Sequence, residues 1–132
     1  MSAQDPEVVA VFDAYPPTLR AALMELRRLI LETAAEASVG GIVEALRWGQ
    51  PAYLTARQRT GTTIRIDAIK GSAERYAMYV NCRTSLIERY RLLYPDAFEF
   101  EGQRGVVFST RSAPAEAALK HCIAMALTYH RK

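Results

Sequence analysis

Apolar residues at Leu19, Leu23, Leu26, Ile30, Ala34 and Ala37 recur in steps of three and four. That spacing lays one hydrophobic stripe along a long helix beginning near Thr18. Arg20, Arg27, Arg28, Glu32 and Glu36 lie off the stripe, and Gly40-Gly41 supplies the permissive backbone that ends helices. Upstream, Asp5-Pro6-Glu7 has the form of a helix start, with Asp at the N-cap, Pro in the first turn and an early acid facing the helix dipole. This shorter helix groups Val8, Val11 and Phe12 before Tyr15-Pro16-Pro17 stops it.

Beyond Gly41 the helical period gives way to alternation. Residues 42–48 and 52–55 read as extended pieces on either side of Gly49-Gln50-Pro51, and 57–61 as a polar turn. In residues 63–68, Ile64, Ile66 and Ala68 face one side while Thr63, Arg65 and Asp67 face the other, the pattern of a half-buried strand. After Gly71-Ser72 the alternation resumes, with Tyr76, Met78, Val80 and Cys82 on one face. Short turns between alternating strands predict an antiparallel meander. Ser85 with Glu88 fits a capping box opening a helix through Ile87, Tyr90 and Tyr94, which Pro95 stops. Phe98 and Phe100, alternating with Glu99 and Glu101, lead into a hairpin turning over 102–105. Pro114 then opens a last helix with the stripe Leu119, Cys122, Ile123, Ala126 and Leu127. Grouped strands with flanking helices predict an α+β fold, an antiparallel sheet of about five to six short strands with helices on one side. No repeat or linker divides residues 1–132, so a single domain is expected.

Composition narrows the function classes. No apolar run is long enough to span a membrane, and the start carries acids where a signal peptide would carry basic residues, so a cytoplasmic protein with reduced thiols is expected. The net charge of +3 is unevenly spread: residues 57–91 hold eight basic and three acidic side chains, +5, which leaves −2 elsewhere. That asymmetry suits a small anionic ligand or an acidic protein partner. Nucleic acid is disfavoured, because no recognition motif or interleaved aromatic pattern accompanies the charge. A homodimer stays open.

Phosphate-loop, nucleotide-fingerprint and nucleophile-elbow motifs are all missing from the sequence, so no catalytic residue and no cofactor is assigned. Adjacent His121 and Cys122 diverge on a helix, Cys122 falls within the apolar stripe, and His130 sits near the terminus; none composes a metal site. Cys82, beside Arg83 and just before a helix start, sits where positive charge favours thiolate, although its strand parity points inward. The most unusual stretch is Arg47-Trp48-Gly49-Gln50-Pro51-Ala52-Tyr53, where the only tryptophan meets the two residues that break regular structure. Pro51 cannot donate to a ladder and is expected at a sheet edge or bulge. The corner either presents Trp48 and Tyr53 to one cavity or seals the core with them. Trp48, Tyr53, Arg65 and Cys82 are therefore the candidate ligand-binding residues.

The spacing Glu44-x-x-x-Trp48-Gly49-x-Pro51-x-Tyr53 after the long helix, with the later 98–109 hairpin and a Pro-started terminal helix, resembles the YdhG-like family of small bacterial domains. The resemblance implies an α+β fold and little about activity. Some members are described as frataxin-like iron chaperones, which implies an alternative in which acids such as Asp5, Glu7 and Asp13, or Glu32 with Glu36, handle iron. A binding module beside Trp48 is the first expectation, iron handling the second, and a cysteine-dependent enzyme using Cys82 the third.

Overall fold

The computed structural model describes residues 5–55 and 60–131; the polar turn expected at 57–61 lies mostly outside them. Helix α1 (Pro6–Ala14) is capped as the sequence predicts, the Asp5 carboxylate accepting from the Glu7 N–H at 2.8 Å. Helix α2 (Pro17–Glu36) buries Leu19, Leu23, Leu26, Ile30 and Ala34. It ends before the glycine pair rather than at it. Ser38 takes a left-handed φ of 54°, its N–H donates to the Ala35 carbonyl and that of buried Val39 to Ala34, a Schellman closure built on serine instead of glycine.

The strands are β1 (Ile42–Arg47), β2 (Gln50–Thr55), β3 (Ile64–Ala68) and β4 (Arg75–Tyr79), then β5 (Glu99–Glu101) and β6 (Gly105–Ser109). They form one antiparallel six-stranded sheet in the order β1-β2-β3-β4-β6-β5. The first four are the expected meander. Helix α3 (Leu86–Leu93) then carries the chain past the position beside β4, so that β5 becomes the far edge and the hairpin returns β6 into the gap.

Helix α4 (Glu116–Leu127) buries Leu119, Cys122, Ile123, Ala126 and Leu127, the full predicted stripe. All four helices share one core with Tyr53, Ile64, Ile66, Met78, Val106 and Phe108, so the helices cover a single face of the sheet. The Tyr90 hydroxyl donates to the Cys122 carbonyl at 2.6 Å and ties α3 to α4, while burial pushes the Cys122 thiol up to about 12. Among the described residues the opposite face carries a small cluster of Ala77, Tyr79 and Val107. No helix among the described residues is long and apolar enough to cross a membrane.

Three local expectations are corrected. Ser85 stands at the N-cap of α3, but its side chain makes no cap bond; its N–H instead donates to the Tyr129 hydroxyl at 3.1 Å. Pro51 lies inside β2, a strand with neighbours on both sides. It is tolerated because pairing with β3 begins at Ala52, which leaves its missing donor outside that ladder. Cys82 does not continue the inward parity of Tyr76, Met78 and Val80: β4 ends at Tyr79, and the thiol is exposed in the following turn.

Candidate functional site

The Trp48 stretch separates into two devices on opposite faces of the sheet. The corner itself is a two-residue hairpin turn between β1 and β2, with φ of 53° at Trp48 and 75° at Gly49. Positive φ at both central residues is the type I′ pattern, which matches strand twist and favours Asn-Gly or Gly-Gly. A bulky residue there is strained, and Trp48 is also 86 % exposed. It does not seal the core.

Tyr53 does. Cross-strand pairing sets it opposite Glu44 on the helix-covered side, fully buried, its hydroxyl donating to Glu44 Oε2 at 2.7 Å. Arg27 of α2 reaches the same carboxylate through Nε at 2.6 Å and Nη2 at 3.1 Å. Although it falls off the apolar stripe, Arg27 is only 4 % exposed. The bond to Glu44 outweighs burial in holding its guanidinium above the ordinary range, whereas burial first, and then Glu44, pushes the Tyr53 phenol up. Glu44 and Tyr53, two of the residues that carry the family resemblance, thus form with Arg27 a clamp joining α2 to the β1–β2 hairpin. Tyr53 is corrected from ligand candidate to core residue: with its phenol on the helix side, it and the exposed indole cannot face one cavity.

On the open face, the other three candidates converge. A cavity of about 370 Å³ is walled by Arg47 and Trp48 from the hairpin and by Thr62, Thr63 and Arg65 at the start of β3. Val80, Asn81 and Cys82 after β4, and Arg104 from the β5–β6 turn, complete the wall. Cross-strand pairing puts Arg65 next to Tyr79. Its guanidinium lies 4.7 Å from the Trp48 ring centroid and 5.4 Å from that of Tyr79, and Arg104 lies 5.3 Å from the Tyr79 ring. Indole, guanidinium, phenol and guanidinium therefore alternate across the sheet. Each such contact is worth about 0.5–1 kcal/mol when exposed.

Arg65 also donates to the Gln50 side-chain carbonyl, and Gln50 in turn donates to Asp67 at 3.2 Å. Asp67 accepts from the Tyr15 hydroxyl at 2.8 Å, so α1 helps to fix this chain of contacts. Five cations elsewhere meet carboxylates: Arg27 with Glu44, Arg28 with Glu25 and Glu32, Arg75 with Glu99, Arg111 with Glu74, Lys120 with Glu32 and Glu36. Among the described residues, Arg47, Arg65 and Arg104 form no such ion pair, and neither do Arg20, Lys70, Arg83, Arg89, Arg91 and Arg131; the first three are set apart by walling one cavity together. Burial, and then the like charge of Arg104, draws the Arg65 guanidinium below its ordinary range. A desolvated, repelled cation of this kind is stabilised by an arriving anion.

Tyr79 and Arg104 escaped the sequence reading. Tyr79 has the parity opposite to Tyr76 and Met78, which already placed it on the Arg65 face; Arg104, in a glycine-flanked turn, carried no such signal.

The acids of the iron alternative are dispersed or engaged. Asp5 caps α1. Lys120 Nζ binds Glu32 at 2.6 Å and Glu36 at 2.9 Å, and Arg28 takes Glu32 from the other side. Among the described residues no three His, Cys, Asp or Glu side chains cluster closely enough to hold a metal ion. Among the described residues no hydrogen bond joins Cys82 to a histidine; His121 Nδ1 instead meets the Tyr94 hydroxyl at 2.6 Å. A second cavity, of about 400 Å³, lies between α2 and α4; Leu26, Leu29, Tyr76 and Leu119 help to wall it, and it contains no cation.

Fold and site together define an α+β domain with an open sheet face bearing a cationic, aromatic cleft. No protein-family model, curated protein or solved structure matches the chain.

Proposed function

We propose that this chain is a non-enzymatic cytoplasmic binding module whose cleft on the open sheet face takes a small anion. The observation that carries the proposal is the convergence of three arginines without carboxylate partners on one cavity, beside a strained, exposed indole that Arg65 stacks against. Strain of that kind persists where a site requires it. Arg65 is the central anion contact, Arg47 and Arg104 flank it, and Trp48 and Tyr79 hold the guanidinium in place by stacking. We infer kinship with the YdhG-like domains from the Glu44–Tyr53 stretch, without carrying over an iron role.

Trp48 is the only tryptophan, so its emission reports on the cleft directly. Titration with phosphate, citrate, aromatic carboxylates and nucleotides should change that emission saturably with at least one anion. The response should weaken as salt rises and disappear in Arg65→Gln. If every anion leaves emission and thermal midpoint untouched, the proposal fails and the face is better sought as a protein-docking surface.

A further inference from the structure

We infer that the occupant of the cleft is a nucleoside monophosphate, its base stacked on Trp48 and its phosphate held by Arg47, Arg65 and Arg104. This rests on the anion-binding proposal and narrows it to one ligand chemistry. Three cations without carboxylates exceed what a single carboxylate neutralises. A phosphate monoester brings a charge of about −1.5 to −2 and three strong acceptor oxygens, and the arginine fork matches that geometry. The indole supplies the second half of the recognition. Arg65 lies over its ring, yet the side chain is 86 % exposed, so stackable surface remains for a flat ring. Between a phosphate and a base come sugar hydroxyls, and the same wall carries the Thr63 hydroxyl and the Asn81 amide.

The surroundings favour a mononucleotide over a strand. A neighbouring depression shares Arg47 and Thr63 with the cleft, but its other described walls, among them Val43, Leu54, Thr55 and His130, add no arginine or lysine. A polynucleotide needs a cationic track along its backbone, and this depression does not continue one beyond Arg47.

Calorimetric titration of the full chain with AMP, GMP, CMP and UMP tests this, against adenosine, inorganic phosphate, benzoate and a ten-nucleotide single strand. At least one monophosphate should bind about tenfold or more tightly than adenosine, phosphate and benzoate. Arg47→Gln and Arg104→Gln, both on exposed side chains, should each weaken that monophosphate about tenfold while the thermal midpoint holds and adenosine binding is unchanged. If phosphate or benzoate binds as well as every nucleotide, the inference falls and the anion cleft stands. Nucleotide binding that both variants leave intact overturns it too, as does a strand that binds more than tenfold tighter than any monophosphate. Silence from every compound removes both the inference and the proposal beneath it.

Discussion

Removing the Glu44 carboxylate is the sharpest test of how the hairpin is held. In Glu44→Ala the Arg27 Nε and Nη2 donors lose the acceptor that they reach at 2.6 and 3.1 Å, and the Tyr53 hydroxyl loses its partner at 2.7 Å. Arg27, with its side chain 5 % exposed, cannot turn to water without opening the contact between α2 and β1. Breaking a buried pair from one side costs about 3–5 kcal/mol, because the buried charge loses its compensating carboxylate. Domains of this size are stable by only about 5–15 kcal/mol. At a urea slope of about 1.5 kcal/mol per molar, the midpoint should fall by roughly 2–3 M. Replacing both charges, Arg27→Met with Glu44→Leu, should recover most of the loss, since apolar residues of similar volume often substitute without cost. Urea unfolding followed by circular dichroism, run as a double-mutant cycle, separates the terms. A loss below about 1 kcal/mol in Glu44→Ala, or a double variant as damaged as the sum of its singles, would refute the clamp.

Ser38→Gly should stabilise the domain by about 0.5–1 kcal/mol in thermal or urea unfolding, because a left-handed serine is replaced by the residue that adopts that φ freely; a loss would contradict the Schellman assignment. Trp48→Asn should leave the thermal midpoint unchanged or slightly raised, since asparagine suits a type I′ turn, while calorimetry shows anion binding lost. A stability drop above about 2 kcal/mol would instead make the indole a structural anchor. Alkali should destabilise the protein from about pH 9 upward. The Cys122 thiol is held at about 12 when folded, and burial raises the Tyr53 and Tyr90 phenols as well. These groups ionise more readily once unfolded, so their contribution is intact below the unfolded values near 8.5 and 10 and is lost above them. A thermal midpoint constant from pH 8 to 11 would contradict this. In the same folded samples, alkylation should reach exposed Cys82 and spare Cys122.

Local spacing was enough to place the helices, the strands and most of their turns, because a helix or strand advertises its buried side every three to four residues or every second one. The stripes of α2 and α4 and the alternation of β3 are of this kind; Trp48, Gly49 and Pro51 marked a corner over 49–51, which the structure closes as a hairpin turn at Trp48-Gly49 with Pro51 already inside β2. The α+β class follows from the order of those elements.

Tertiary structure decided the rest. Arg27 is buried although it breaks the stripe, because Glu44 and Tyr53 arrive opposite it from another element. Tyr53 and Trp48, near in sequence, part to opposite faces because the register pairs Tyr53 with Glu44 and leaves Trp48 in the turn. Tyr79 comes beside Arg65 by β3–β4 pairing, and Arg104 reaches the same ring because β6 returns between β4 and β5. Periodicity reports which side of its own element a residue occupies; strand order and register determine which residues from different elements meet. The arginine-lined cleft is made wholly of the second kind of information.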